Sequence, residues 1–288
     1  MFRSLVNQMK FEESQYVGYD GTRMYMAVWL PDDERPRALL VAIHGLGSHG
    51  LDLRNIGEYM AERGIAVFAP DMRGFGHYEG RKGHVMNFDE YVEDIQNLVM
   101  QVKDRFINKL TFLFGHSLGG QHIVRYAALY QKEVDGLIIS CPAVAHQLPI
   151  SPLKRFAAEL LSLLNVKIYV SNETNLEYSC RDPEVVNAHE NDPLRWDLVT
   201  PRFGVCGLKA TREAFDAAPL ITLPVLVQQA GDDKLVVPEK TKEFFDNLGS
   251  TDKTWVLYEG LYHELHSEPE KERVLADMYN WLDKRLPT

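Results

Sequence analysis

The sequence predicts an α/β fold: a mostly parallel sheet with helices on both faces, interrupted by one helical insert. Three observations predict it. Short runs of Val, Ile, Leu and Ala alternate with longer amphipathic stretches, the pattern of strands joined by crossover helices. Those runs are apolar throughout, as strands are when both sheet faces are covered. The alternation stops after Pro149 and resumes only near residue 225, a gap too long for an ordinary loop.

Each element has its own justification. Residues 16–19 and 24–30 read as a strand pair turned at Asp20-Gly21, a hairpin signal. Residues 38–43, 65–69, 110–114 and 136–139 are unbroken apolar strands. Between them, 53–62, 88–106 and 118–131 have helical spacing. No strand is evident from 145 to 215. Strands resume at 225–228 and 254–258, and a last helix spans about 268–284. The expected division is a core of residues 1–145 and 216–288 around an insert of 146–215. Phe2, Leu5, Val6 and Met9 form a short helical stripe, expected to pack on the core or a partner.

Composition narrows the function. The chain has 288 residues, 45% hydrophobic and 25% charged. That excludes a disordered chain, a collagen and a disulfide mini-protein. No run approaches the roughly 18 apolar residues of a membrane span, and no signal-peptide stretch is visible. The expectation is a cytoplasmic protein, with room for peripheral membrane association. The formal net charge of −10 argues against nucleic acid and against electrostatic docking on anionic lipid. Cys141, Cys180 and Cys206 form no C-x-x-C pair, so reduced thiols are expected.

The strongest local signal is Gly115-His116-Ser117-Leu118-Gly119. It follows an apolar strand and opens an amphipathic stretch, the context a G-x-S-x-G nucleophile turn requires. The turn forces the serine into a strained conformation, so Gly115 and Gly119 must be small. A serine hydroxyl needs a base. His263 follows the strand 254–258 in a loop, on the serine's side of the sheet. His266 competes from a turn further on. The acid that orients the base comes from the loop after 225–228, where Asp233 is favoured and Asp232 remains an alternative. The oxyanion needs donors: the N–H of Leu118, after the nucleophile, and that of Leu46 in His44-Gly45-Leu46-Gly47. His44 and His116 are expected to be structural. His263-Glu264-Leu265-His266 is not H-E-x-x-H, so no metal is expected.

Taken together, the turn, the His44-Gly45-Leu46-Gly47 loop and the order Ser117, Asp233, His263 resemble the α/β-hydrolase superfamily. Narrower pieces resemble its monoacylglycerol lipase and lysophospholipase branch (serine aminopeptidase S33-type hydrolases). These are Asp71-Met72-Arg73-Gly74-Phe75-Gly76-His77-Tyr78-Glu79-Gly80, Ser179-Cys180-Arg181-Asp182 with Asn191-Asp192-Pro193-Leu194, Asp233-Lys234-Leu235, and Tyr258-Glu259-Gly260 with His263-Glu264. The likeness runs from about residue 15 to 285. Departures are Tyr78 where serine is usual, Ala230 for glycine, and Leu118 for methionine.

The resemblance implies an esterase for a single acyl chain, in monoacylglycerol or lysophospholipid, without cofactor or metal. It implies a lid or cap in the insert and a lipid or ester substrate. Phe156, Leu160, Leu161 and Leu164, with Ala157 and Leu163, make an apolar face at helical spacing. That face would receive an acyl chain, touch a membrane transiently, or pack on the core. Alternatives are a short-chain carboxylesterase, a thioesterase, an aminopeptidase and a non-catalytic receptor. An aminopeptidase needs cap carboxylates for the substrate ammonium, and Glu173, Glu177 and Glu184 are available. Ser117 excludes the relatives whose nucleophile is aspartate.

Overall fold

The structure is a computed structural model that describes residues 9–145, 151–172 and 175–287. Among the described residues the chain forms an eight-stranded sheet and a two-stranded ribbon. The hairpin pairs β1 (Met9–Val17) with β2 (Arg23–Pro31), antiparallel, and turns through Gly21 at φ +83°. β3 (Ala38–Ile43), β4 (Ile65–Pro70), β5 (Leu110–His116), β6 (Gly136–Ser140), β9 (Val225–Ala230) and β10 (Lys253–Tyr258) run parallel. The spatial order is β1-β2-β4-β3-β5-β6-β9-β10. Strands on either side of β3 arise from opposite crossovers, so the C-terminal ends of β3, β5, β9 and β10 open on one edge.

Strand alternation divides the core in two. Leu39, Val41 and Ile43 face one layer with α2 (Asp89–Arg105), α3 (Leu118–Tyr130) and α7 (Pro238–Asn247). Leu40 and Ala42 face the other, with α1 (Arg54–Ala61) and α8 (Lys271–Asp283). Every residue of β3 is buried, which is why its sequence shows no polar alternation. The predicted parallel sheet, its strands and the helices near 53–62, 88–106, 118–131 and 268–284 are all present.

Three expectations need correction. β1 begins at Met9, not residue 16, and Met9 pairs with Pro31 in the sheet instead of lying on a helix. Its mostly polar stretch Lys10 to Gln15 gives no strand signal because an edge strand carries charge. Phe2, Leu5 and Val6 lie outside the described residues. α7 carries no entry signal beyond Pro238 and was not expected. Between β6 and β9 the chain forms α4 (Pro152–Leu163), α5 (Pro183–Glu190) and α6 (Pro201–Asp216), but also β7 (Val170–Ser171) paired with β8 (Leu198–Val199). Strands of two residues have no period to read. Among the described residues no helix is long and apolar enough to cross a membrane.

The Asp71–Gly80 stretch serves the scaffold. Asp71 accepts from the backbone N–H of Gly50 and of His77, each at 2.7 Å. Buried Arg73 donates to Asp94 at 2.9 Å and to Asp20 at 2.9 Å, tying the hairpin turn to α2.

Candidate active site

Ser117 sits between β5 and α3 with φ 52° and ψ −115°. An L-residue reaches that region only when its surroundings force it. Here the Ser117 N–H donates to Ser140 O and its carbonyl accepts from Ala143 N, both at 2.9 Å. A Cβ on Gly115 would stand 2.4 Å from Gly119 O, and one on Gly119 2.2 Å from Ile43 O. Both positions therefore require glycine, as the motif predicts. Leu118 begins α3, so its N–H belongs to a first turn that has no partner within the helix.

His263 lies on the loop after β10 and is buried. Its Nδ1 meets Asp233 Oδ2 at 2.8 Å. The other oxygen of Asp233 accepts from Leu235 N at 2.9 Å and Val236 N at 3.0 Å. The Leu235–Val236 pair anchors this loop through both backbone N–H groups and, at Val236, through a side chain buried against Ala230, Tyr258 and Leu261. Asp232 is exposed, so the structure brings Asp233 to His263. Burial works to lower the His263 pKa, but the charge and hydrogen bond of Asp233 outweigh it and the net shift is upward. His266 is buried too. Its ring packs on His116 at 5.1 Å, and burial lowers its pKa to about 4.

The loop after β3 approaches from the other side. Met72 N donates to His44 Nε2 at 2.9 Å, so His44 carries its proton on Nδ1, 2.7 Å from Gly45 O. Burial holds its pKa at about 4. A neutral histidine bonded at both nitrogens braces the loop. Gly47 has φ +76°, and a Cβ there would lie 2.9 Å from Trp196 O. Trp196 N in turn donates to Gly47 O at 2.9 Å. The segment between β6 and β9 therefore rests on the Gly45–Gly47 loop. His116, before the nucleophile, stacks obliquely on His263 at 4.7 Å. Burial and the neighbouring His263 and His266 hold it well below the usual histidine range.

Ser117 and His263 share one cleft of about 460 Å³, lined also by Gly45, Leu46 and Leu118 among others. Sequence reasoning missed the wall opposite. Arg195 Nη2 contacts Glu264 Oε1 at 3.2 Å and Asp52 Oδ2 at 3.3 Å. His49 Nε2 contacts Asp192 Oδ2 at 2.9 Å. The only available signal was the position of Arg195 after Asp192-Pro193-Leu194 and of Glu264 after His263. Phe156, Leu160, Leu161 and Leu164 are not among the described residues lining the cleft. Phe156 and Leu164 are each 66% exposed, so α4 turns its apolar face outward. Glu177 and Glu184 do not line the cleft either, and Glu173 lies outside the described residues. Ligand-type atoms of Cys141, Asp233 and His263, and of His49, Asp52 and Asp192, lie within 4.8 Å of one another. In the first set Asp233 is already engaged by His263; in the second Arg195 supplies a competing positive charge.

A strained serine on a strand-to-helix turn, beside a buried His–Asp pair, defines the comparison to make. The sequence pattern of the serine aminopeptidase S33 family matches residues 34–270. The chain belongs to this family. This S33 hydrolase is similar to a monoacylglycerol lipase of Mycolicibacterium smegmatis, 31% identical over 275 residues, covering 95% of this chain and 98% of that protein. A phospholipase of Bacillus subtilis is 29% identical over 261 residues, covering 90% of this chain and all of the relative, 100%. The crystal structure of a Paleococcus ferrophilus monoacylglycerol lipase superposes with a TM-score of 0.80 at 26% identity, covering 95% and 98% of the two chains. The S33 chain has the α/β-hydrolase fold, as its sequence pattern implied.

Proposed function

We propose that the chain is a serine ester hydrolase acting on lipids with a single acyl chain, monoacylglycerol foremost. The observation that carries this is the His263–Asp233 contact of 2.8 Å in the cleft that also holds strained Ser117. Ser117 Oγ attacks the ester carbonyl. His263 takes the proton, and Asp233 holds the ring and stabilises the imidazolium. The N–H groups of Leu46 and Leu118 bind the oxyanion, each such donor worth roughly 10²–10³ in rate. His263 then protonates the departing alcohol, leaving the acyl group on Ser117. Water, activated by the same histidine, releases the acid and restores the serine.

In this reading residues 1–145 and 216–288 are the catalytic core and 146–215 its cap. The acyl chain lies along the cleft between them. Support for the substrate comes from the relatives: the Mycolicibacterium protein is named a monoacylglycerol lipase. The exposed apolar face of α4 is the part of the cap that touches a lipid surface. No cofactor or metal enters the mechanism.

The test is a panel of initial rates on 1-monooleoylglycerol, lysophosphatidylcholine, a triacylglycerol, p-nitrophenyl esters and an aminoacyl anilide. Monooleoylglycerol should be turned over fastest among the lipids. Ser117→Ala should abolish turnover and keep the fold by circular dichroism. Turnover that survives Ser117→Ala would sink the nucleophile. A preference for the anilide would move the assignment to an aminopeptidase.

A further inference from the structure

Asp233 is held by more than its histidine. Gln229 lies near the end of β9, four residues before the acid, and is wholly buried. Its Nε2 donates to Asp233 Oδ2 at 3.2 Å and to Ala230 O at 3.0 Å. The first of these acceptors is the oxygen that also meets His263 Nδ1. Turning the amide over would set its oxygen against two acceptors, one of them charged, so these contacts fix its orientation. In that orientation Oε1 has no hydrogen-bond partner. A buried amide left half satisfied is costly, and an apolar residue would avoid the cost. Packing alone does not call for glutamine here.

The position bears on the base. A donor on an ionised carboxylate draws off part of its charge. Oδ1 of Asp233 already accepts from Leu235 N and Val236 N, and Gln229 does the same at Oδ2. Unmoderated, the buried charge would hold a proton on His263 into the pH range where the base must be neutral. Other titratable groups face the pair. Cys141 lies within 4.8 Å of both, and burial and the Asp233 charge push its thiol up. Burial holds His116 and His266 well below the usual histidine range. The Glu264 charge works on His263 in the same direction as Asp233. Gln229 is uncharged at every pH, so its effect on His263 is constant through a titration.

We propose that Gln229 is a positioning residue of the catalytic acid. Its amide shares Asp233 Oδ2 with His263 and tempers the carboxylate, which keeps the histidine free to act as base near neutral pH. This role rests on the ester-hydrolase reading, in which Asp233 orients the base.

Nuclear magnetic resonance titration of the full chain reads the contact without turnover. In the unaltered protein the Gln229 side-chain amide protons should shift at the pH where His263 titrates. Gln229→Met keeps the length and burial of the side chain and removes the donor. The His263 midpoint should then rise by about half to one pH unit, because one hydrogen bond fewer tempers the ionised carboxylate. The acid limb of kcat/KM for p-nitrophenyl butyrate should move up by the same amount. That sign is opposite to the effect of losing the Asp233 charge. A side chain that only packs would leave the midpoint in place, and one whose loss lets Asp233 drift would lower it. Either result, or amide protons that ignore the His263 titration, overturns the role. The amide measurement needs no variant, so it decides even if Gln229→Met fails to fold. Ester turnover by the unaltered chain is scored separately. A chain silent on every ester would sink the hydrolase reading, while the amide and midpoint shifts would still report on the Gln229 contact.

Discussion

At the residue scale, the behaviour of His263 is set by one carboxylate. Burial alone lowers a histidine pKa, yet Asp233 raises that of His263 above the usual 6.5. Only the neutral imidazole can take the serine proton. Activity should therefore be complete at alkaline pH and fall as acid protonates His263, with the midpoint above 6.5. Asp233→Asn removes the raising charge and leaves the burial. The acid limb of kcat/KM should then move to lower pH, while kcat drops by roughly 10⁴, as in other triads. A limb that stays in place would separate His263 from the profile. Gly119→Ala tests the turn: its Cβ would meet Ile43 O at 2.2 Å, so the thermal midpoint should fall by several degrees. Ser117, Asp233 and His263 were legible because each belongs to a local pattern whose strand context is visible. Arg195 was not, because its meaning depends on residues 52 and 264 arriving beside it. No local pattern encodes that meeting.

At the element scale, α4 shows what periodicity does and does not say. Spacing correctly placed an apolar helical face over Phe156, Leu160 and Leu164, but a period identifies a face and not its neighbour. The structure turns it to solvent, with Leu153 and Leu163 each 78% exposed. An apolar patch on a surface helix signals an interaction site. Leu163→Asp with Leu164→Asp should weaken sedimentation with neutral phosphatidylcholine vesicles by roughly 10²–10⁴-fold, since each buried leucine is worth about 1.5–3 kcal/mol. Turnover of a short soluble ester should be unchanged. Equal vesicle binding by the variant would remove α4 from lipid contact. The first residues of β1 and the β7–β8 ribbon were illegible for other reasons. The first is polar because it is an edge, and the second is too short to repeat.

At the scale of the whole molecule, the parallel sheet brings loops distant in sequence to one edge, and the hairpin must be fastened to it. Arg73 does much of that fastening, between fully buried Asp94 and the hairpin residue Asp20. Burial pushes the Asp94 carboxyl upward even with Arg73 pulling it down. Arg73→Met removes the counter-charge and leaves the buried Asp94 carboxylate with the Tyr19 N–H at 3.1 Å but no cation against it. Breaking a buried pair this way costs about 3–5 kcal/mol, which urea unfolding at pH 8 should register. The loss should also depend on pH with a definite sign. In the variant the folded pKa of Asp94 rises further above its unfolded value, so the folded state holds a proton that the unfolded state releases. Stability then falls as pH rises, and the deficit at pH 8 should exceed that at pH 5. Arg73→Met with Asp94→Leu removes both charges and should recover most of the loss. A deficit equal at both pH values, or one the double variant leaves intact, would mean that Arg73 acts through packing of its stem instead of through charge.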